Sequence, residues 1–389
     1  MKATDATDAV DVVDVVALGE SMVTFLPGRP GRLADVPSFD RAIGGAESNV
    51  ACALAAAGHT VRWVSRVGAD GFGDHLVATV ASHGVDVSHV GRDPVRPTGV
   101  YFRTAGDRAT DAHEVAYYRA GSAASAMSVR TVDPAAVRAC RVLHLSGITA
   151  ALSQECLGLL RELTAPAEGR PLVSFDVNYR PSLWTGSDGV EVLLELARRA
   201  DLVFVGADEA EQAWGVTGGP AAVRELLPEP EALVVKQGGA GATAFVSAAG
   251  GRGAVAQFPA PLEGRRPGRF SSGRGTLAAP AGVPTPRRQP SGTFEPAPTV
   301  DVVAAVGAGD AFAAGFLSGT LRGLPVRLRL RLGHLFAAAT LTSPADLAPP
   351  PDRDTTDRLT ALGAPAWGTL RLGPGWTRAT AAEEEGRTP

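Results

Sequence analysis

Short apolar runs alternate along the chain with segments of helical periodicity, and this alternation constrains the fold more than any other feature. The apolar runs have the length of buried strands and cover residues 15–20, 61–67, 142–147, 171–176, 202–205 and 232–236. Helical patterns cover residues 50–58, 74–83, 153–164 and 190–199. Because such alternation is typical of parallel sheets, we predict an α/β fold with a mostly parallel central sheet.

The stretch at 306–310, Val-Gly-Ala-Gly-Asp, lies between a short apolar run and a strongly apolar helical pattern. Glycines allow a tight turn, and the N–H groups at the start of a helix favour an anion. Asp310 then falls in the first helical turn. A carboxylate that takes a hydroxyl proton beside such N–H groups suits phosphoryl transfer to a hydroxyl. On this stretch alone, a glycine turn with an acidic helix cap is the favoured interpretation.

Two segments interrupt the alternation in the first third of the chain. Residues 21–43 are too broken by proline and glycine for a helix, and they predict a small strand-and-turn unit outside the core. Residues 98–120 predict a β-hairpin that contains three of the four tyrosines of the chain. Tyrosine and arginine recognise polar ligands well but also occur on ordinary exposed strands, so both interpretations of the hairpin stay open.

Three further segments have the composition of mobile chain. Fifteen of the 40 residues in 259–298 are proline or glycine, which predicts a low-complexity insertion between strands at 254–258 and 299–303. A variable loop without function is the favoured interpretation of the insertion, and a lid or partner-binding role is the alternative. We predict disordered tails at 1–14, which is acidic, and for most of 351–389.

Composition and missing motifs exclude several function classes. The formal net charge of −4 argues against a nucleic-acid partner, and no apolar run approaches the ~18 residues of a membrane span. Three cysteines without metal-ligand spacing and an acidic N-terminus indicate a cytoplasmic protein. The chain has no P-loop, no Gly-x-Gly-x-x-Gly after its first strand and no Gly-x-Ser-x-Gly elbow.

Two long motifs together resemble the ribokinase-like (PfkB) sugar kinases. The N-terminal one starts with Gly-Gly-Ala-Glu-Ser-Asn at 44–49 and continues with Val-Gly-Ala-Asp-Gly-Phe-Gly at 67–73. The C-terminal one is the stretch at 306–315, and the resemblance covers about 15–350 apart from the insertion. It implies a three-layer sandwich, with a small β lid from about 21–43 and 98–120 over the sugar. Within the family, Asp176-x-Asn178-x-Arg180 and 117–123 are most similar to 2-keto-3-deoxygluconate kinases.

The resemblance implies ATP-dependent phosphorylation of a sugar-acid hydroxyl, to give 2-keto-3-deoxy-6-phosphogluconate. It implies that Asp310 is the catalytic base. The backbone anion hole for the γ-phosphate would be Gly307, Ala308 and Gly309. The residues that would bind the sugar hydroxyls or the sugar acid are Gly44, Gly45, Asn49, Tyr101, Tyr117, Arg119, Asn178 and Arg180. Arginine suits a carboxylate substrate because its planar fork matches two carboxylate oxygens.

The resemblance also implies a nucleotide half of the site. Lys236, Gly238 and Gly241 resemble the nucleotide-side loop, and His334 would lie beside the adenine. Glu209 matches the acidic end of an Asn-x-x-Glu motif that helps to position Mg²⁺ through water. Judged singly, Gly44, Arg119, Arg180 or Lys236 has a plain structural explanation, as a helix-start glycine, a surface ion pair or a strand-end lysine.

The chain departs from the family pattern at three positions. Ala304 and Ala305 stand where relatives usually carry Asp followed by Thr or Pro, and Gly206 replaces the Asn of Asn-x-x-Glu. In some relatives that Asp helps to hold a monovalent cation, so the resemblance does not carry potassium activation over to this chain. The alternatives are a kinase for fructose or ribose and a sugar-binding sensor without catalysis. Lid strands of this family often pair between subunits, so a homo-oligomer is possible.

Overall fold

The structure is a computed structural model that describes residues 10–29, 31–104, 114–184, 188–247, 291–344 and 347–378. The predicted alternation of strands and helices is present through most of these ranges. The strands are β1 (Val13–Leu18), β2 (Met22–Pro27), β3 (Phe39–Gly44), β4 (Val61–Gly68), β5 (Val90–Asp93), β6 (Val100–Arg103), β7 (Val115–Tyr118), β8 (Cys140–Ser146), β9 (Leu172–Asp176), β10 (Leu202–Gly206), β11 (Ala232–Lys236), β12 (Ala242–Val246), β13 (Thr293–Glu295), β14 (Thr299–Val300) and β15 (Arg371–Leu372).

Helices follow most of the strands that form the main sheet. They are α1 (Ala46–Ala56), α2 (Gly71–Ser82), α3 (Pro134–Arg138), α4 (Gly147–Ala150), α5 (Gln154–Thr164), α6 (Gly189–Arg199), α7 (Ala207–Trp214), α8 (Gly219–Leu226), α9 (Ala308–Leu321), α10 (Val326–Leu341), α11 (Arg353–Thr360) and α12 (Ala364–Gly368). Side-chain caps fix the first residue of several of these helices. For example, the Asp70 carboxylate accepts a hydrogen bond of 2.8 Å from the backbone N–H of Gly73 and caps α2.

The main sheet has the strand order β13-β12-β11-β10-β9-β8-β1-β4-β5. Neighbours from β11 to β5 pair in parallel, and only β12 and β13 add antiparallel pairs at one edge. Successive side chains of a strand point to opposite faces, so the interior strand β1 supplies both cores. Val15 and Ala17 pack with α1 and α9, whereas Val16 and Leu18 pack with α5 and α6. The result is three layers, helices–sheet–helices.

A second, four-stranded sheet stands apart from the main sheet. Its strand order is β3-β2-β6-β7, in which β2 pairs antiparallel with β3 and parallel with β6. We call it the small sheet. The two segments in which we predicted the lid supply all four of its strands, although 105–113 of the hairpin lie outside the described residues.

The C-terminal part of the chain corrects one prediction. We predicted a mostly disordered tail from 351, but α11, α12 and β15 lie within it. Trp367, Leu372 and Trp376 are buried against α10. The prediction failed because this segment is rich in proline and charged residues. Its three large apolar side chains are spaced too far apart to give a helical or strand pattern, yet together they cover one face of α10.

Two predicted boundaries also shift. The N-terminal tail was predicted to reach 14, but β1 begins at Val13, and 1–9 lie outside the described residues. The insertion was predicted to reach 298, but β13 pairs with β12 as an edge strand, and Glu295 is buried against Arg331. The strand predicted at 254–258 and most of the insertion lie outside the described residues, and the strand predicted at 299–303 is only Thr299–Val300. In the described part of the chain, no helix has the length and apolar character that crossing a membrane requires.

Candidate active site

A cavity of ≈ 710 Å³ opens where the carboxyl ends of the main-sheet strands face the small sheet. Open α/β sheets bind ligands at this edge. Most of the predicted site residues line the cavity: Gly44, Gly45, Asn49, Tyr101, Tyr117, Arg119, Asn178, Arg180, Glu209, Lys236, Gly307, Gly309 and Asp310. The cavity therefore brings together residues that are as far apart in the chain as Gly44 and Asp310.

The start of α9 forms one wall of the cavity. Gly307 caps this helix with a φ of 80°, in the left-handed region that a side chain disfavours. Ala308 begins the helix, and Asp310 lies in its first turn. Backbone N–H groups at such a helix start have no partner within the helix, so they can bind an anion in the cavity.

The loop that leads to this helix start is held by backbone contacts. The N–H groups of Val303 and Ala304 both donate to the carbonyl oxygen of Leu341, at 2.7 and 3.2 Å. Leu341 is the last residue of α10. The departures from the family pattern at Ala304 and Ala305 therefore put methyl groups in place of larger side chains, in a loop that the end of α10 still supports.

Asp310 has a carboxyl group suited to proton transfer. Its Oδ2 accepts a hydrogen bond of 2.9 Å from Nδ2 of Asn49, which lies in the first turns of α1. Burial and the nearby carboxylate of Asp176 raise the pKa of Asp310, whereas the bond from Asn49 and the charges of Lys236 and Arg180 lower it, and the net result is a pKa of about 7. A carboxyl with a pKa near neutrality can accept a proton at physiological pH.

Lys236 and Asp176 form a buried ion pair at the floor of the cavity. Nζ of Lys236 donates to Oδ1 and Oδ2 of Asp176, at 3.1 and 3.0 Å. Burial lowers the pKa of Lys236, but the neighbouring carboxylates, Asp176 first, raise it by more, and its pKa lies above the ordinary value. Lys236 is therefore a charged ammonium inside the cavity and not a strand-end lysine in solvent.

Glu209 lies beside this pair at the start of α7. Its Oε2 accepts a hydrogen bond of 2.7 Å from the N–H of Gly206, and its Oε1 is 3.7 Å from a guanidinium nitrogen of Arg180. Burial raises the pKa of Glu209. The side chain of Arg180 is 51% exposed, so this arginine reaches the open side of the cavity.

The opposite wall is formed by the small sheet and the segment after it. Arg119 pairs with the fully buried carboxylate of Glu20, which also accepts a hydrogen bond of 2.6 Å from Ser122. The guanidinium of Arg119 lies 5.8 Å from the ring centre of Tyr117, whose ring is 5.5 Å from that of Tyr101. Arg119 therefore belongs to a buried network, and the surface ion-pair explanation does not apply to it.

Some cavity residues were not among the predicted site residues. Arg103, Glu20 and Asp176 line the cavity and are buried. Arg103 could have been found, because it lies two residues after Tyr101 on one strand and therefore points to the same face. Glu20 could not, because its partners Arg119 and Ser122 are about a hundred positions away in the sequence.

Four predicted residues do not line this cavity. Ala308 is not among the lining residues, although it begins α9. Gly238 and Gly241 lie in the turn between β11 and β12, and their nucleotide role stays a prediction. His334 is 6% exposed, packs between Phe312 and Trp367 and lies 3.1 Å from the carbonyl oxygen of Glu295. It is not among the residues that line this cavity, and its position beside the adenine stays a prediction.

Comparison with known proteins decides the family. The model of the pfkB family carbohydrate kinases matches residues 13–261 and 285–353. The chain belongs to this family. The predicted resemblance is thus confirmed. The pfkB match ends at the first residue of α11, so α12 and β15 lie beyond it.

Individual proteins that are similar to this chain support the same family. A 2-dehydro-3-deoxygluconokinase of Bacillus subtilis (strain 168) is 31% identical over 340 residues, which cover 86% of this chain and 92% of that protein. A 2-dehydro-3-deoxygluconokinase of Thermoproteus tenax is 33% identical over 239 residues, 59% of this chain and 70% of the relative. The crystal structure of a PfkB protein from Polaromonas sp. JS666 matches with a TM-score of 0.69 and 30% identity, covering 90% of this chain and all of that one.

These findings establish the fold and the class of enzyme. The chain has the ribokinase-like α/β fold, and it is an ATP-dependent carbohydrate kinase that binds a sugar and ATP. Both predictions are confirmed. The cavity described above is the candidate active site of this kinase, and the roles of its individual residues are taken up below.

Proposed function

We propose that this pfkB kinase phosphorylates 2-keto-3-deoxygluconate, named 2-dehydro-3-deoxygluconate in its relatives, to give 2-keto-3-deoxy-6-phosphogluconate. One observation carries the proposal. A single cavity is lined on one side by the carboxyl of Asp310, which has a pKa of about 7 and lies at a helix start. Arg103 and Arg119 line the other side. The carboxyl suits proton removal from a hydroxyl, and the arginines suit the carboxylate end of a sugar acid.

In the proposed reaction, Asp310 accepts the proton of the sugar hydroxyl as its oxygen attacks the γ-phosphorus of ATP. The new oxygen–phosphorus bond forms while the bond between the γ-phosphorus and the bridging oxygen breaks, and ADP leaves with that electron pair. The N–H groups of Gly307, Ala308 and Gly309 stabilise the charge on the transferred group. Lys236 brings a positive charge close to Gly309, since its Nζ lies 3.5 Å from the place that a Cβ on this glycine would occupy.

The sugar is held by the opposite wall and the start of α1. The backbone at Gly44 and Gly45 and the amide of Asn49 bind sugar hydroxyls. A Cβ on Gly45 would lie 2.5 Å from the carbonyl oxygen of Glu20, so glycine lets α1 begin directly against the end of β1. Tyr101, Tyr117, Asn178 and Arg180 complete the wall around the substrate.

Magnesium is the cofactor that the phosphates of ATP bring with them. In the described ranges, no group of three or more His, Cys, Asp or Glu side chains is arranged to hold a metal ion. This fits Mg²⁺, which keeps several waters and binds mainly to substrate phosphates. Glu209, with one oxygen turned back to the N–H of Gly206, would reach the ion through water. Bound Mg²⁺ would neutralise charge on the phosphates.

A neutral sugar is the second candidate, and one contact favours it. The carboxylate of Glu20 pairs with Arg119 and offsets its charge, which lowers the attraction of that arginine for a substrate carboxylate. Fructose or ribose would then fill the same cavity without an ionic contact to Arg119.

A coupled assay of ADP release against a panel of sugars and sugar acids tests the proposal. We expect kcat/KM for 2-keto-3-deoxygluconate to exceed the values for fructose and ribose by about 10–100-fold, since a hydrogen bond to a charged group contributes about 1.5–3 kcal/mol. Phosphorus NMR of the product should place the phosphate on the terminal hydroxyl. A higher kcat/KM for fructose or ribose would contradict the sugar-acid assignment and favour the second candidate.

A further inference from the structure

The Asp176 carboxylate makes a contact that the proposed mechanism does not use. Asp176 is the last residue of β9, and Lys236 is the last residue of β11, with β10 between them in the sheet. Both oxygens of Asp176 accept from Nζ of Lys236, and the carboxylate is 3% exposed. The contact therefore fixes a flexible four-carbon side chain from two strands away.

The contact with Asp176 holds the Lys236 ammonium close to the start of α9. Nζ of Lys236 lies 3.5 Å from the place that a Cβ on Gly309 would occupy. Gly309 lines the cavity and is in the first turn of α9, where the backbone N–H groups have no partner within the helix. The positive charge is thus next to the helix start that attracts an anion, and the two effects add at one place.

Two other carboxylates compete with Asp176 for this lysine. The negative charges of Glu209 and Asp310 also stabilise the Lys236 ammonium, and Asp310 is the residue after Gly309. A lysine released from Asp176 has these carboxylates as its remaining partners. An ion pair between Lys236 and Asp310 would stabilise the ionised carboxylate and make it a weaker base.

We propose that Asp176 is a positioning residue, which holds the Lys236 ammonium at the start of α9 and away from Asp310. The inference rests on the proposed role of the 307–309 backbone as the anion hole, and it does not depend on which sugar is the substrate. Asp176 itself would touch neither the sugar nor the transferred phosphoryl group. Its effect on the reaction would pass through Lys236.

Three variants test this inference: Asp176→Asn, Lys236→Met and the double variant. We expect each single change to lower kcat by about 10–100-fold, as is typical when a group that orients a site residue is removed. The double variant should be no slower than Lys236→Met, because no lysine remains to be positioned. The dissociation constant of the sugar, measured by calorimetry without nucleotide, should change by less than about threefold.

Asp208→Asn is the matched control. Asp208 is an exposed carboxylate at the start of α7 near the same edge of the sheet, and its change should leave kcat within about twofold. The inference would be overturned if the loss of kcat in the double variant were the product of the two single losses. It would also be overturned if Asp176→Asn lost sugar binding or kept the wild-type kcat.

Two measures keep the test decisive. Should Asp176→Asn fail to fold, Asp176→Glu keeps the charge but displaces it by one methylene. A lower kcat with unchanged sugar affinity supports the inference, and an unchanged kcat overturns it. All variants are assayed with the sugar that the wild-type enzyme phosphorylates fastest, so an error in the sugar-acid assignment would appear in the wild-type panel alone.

Discussion

Asn49 donates its side-chain N–H to the carboxyl of Asp310 at 2.9 Å, across 261 positions of the sequence. The bond joins the start of α1 to the start of α9, so the two family motifs meet at one hydrogen bond. Helix α1 carries groups proposed to bind the sugar, and α9 carries the proposed base and anion hole. The bond therefore links the two halves of the site.

Replacing Asp310 by Asn should remove the proposed base with little change in shape. We expect kcat to fall by about 10²–10⁴-fold, the usual contribution of a positioned general base, while the KM for the sugar changes little. Steady-state kinetics measure this. A variant with more than about a tenth of wild-type kcat would contradict the role of Asp310, and Asp208→Asn serves again as the control carboxylate.

The activity should depend on pH through Asp310. Since the base must be ionised and its pKa is raised to about 7, kcat/KM should increase with pH and level off above about pH 8. The bond from Asn49 lowers this pKa, so Asn49→Ala should move the increase to higher pH. Ser48→Ala, a change at the preceding residue, should leave its position unchanged. Equal pH profiles for wild type and Asn49→Ala would argue that another group is titrated.

Ionisation of Asp310 should also lower the stability of the folded protein. The pKa is about 7 in the fold against an ordinary 3.8, so the neutral form stabilises the fold below about pH 4, and this contribution is lost as the pH rises through 7. Asp310→Asn stays neutral and should exceed the wild-type free energy of unfolding at pH 8 by about 1–2 kcal/mol. The full pKa shift implies more, but water in the open cavity screens the charge. Urea denaturation at pH 8 and pH 4 measures this, and an equal difference at both values would contradict it.

Arg119 should matter more for a sugar acid than for a neutral sugar. Arg119→Met should raise the KM for 2-keto-3-deoxygluconate by about 10–100-fold and that for fructose much less. The single change also leaves Glu20 buried without its partner, so the matched control is Glu20→Gln/Arg119→Met, which removes both charges. If the double variant recovers the wild-type KM for the sugar acid, the defect came from Glu20, and Arg119 does not bind the carboxylate.

The segment beyond the pfkB match should contribute to stability. Trp367 is buried in it, with the Arg331 guanidinium 4.6 Å from its ring centre and its Nε1 donating to the carbonyl oxygen of Pro296 at 2.8 Å. Trp367→Ala should lower the free energy of unfolding by about 3–5 kcal/mol. Thr369→Ala, an exposed change in the same segment, should alter it by less than about 0.5 kcal/mol. Comparable stability of the two variants in urea denaturation would contradict this contribution of Trp367.

The sequence predicted the main sheet because its signal is local. Buried parallel strands are apolar throughout, and glycines or capping residues end each unit, so a short window identifies each element. The same applies to the turn at 306–310, where the glycines and the carboxylate are adjacent in the sequence.

Contacts between residues that are distant in the sequence leave no local pattern from which they could be predicted. Lys236 was predicted on the nucleotide side, but nothing near it in the sequence indicates that it pairs with Asp176, 60 positions earlier. His334 was predicted beside adenine from its helix, and the face that it occupies is set by Phe312 and Trp367, which come from other parts of the chain. Trp367 itself lies in a segment whose proline and charge content predicted disorder.

Strand β15 pairs with β14, and this pairing has a consequence for how the enzyme is made. The N–H groups of Thr299 and Asp301 donate to the carbonyl oxygens of Leu370 and Leu372, at 2.9 and 3.0 Å. Residues 299–301 lead straight into the loop of the proposed anion hole, yet their pairing partner is synthesised some 70 residues later. The pair β14-β15 is a separate two-stranded sheet, so a nascent chain can build the whole main sheet before this pairing forms. The segment that leads to the proposed anion hole gains its strand partner only when 372 has left the ribosome.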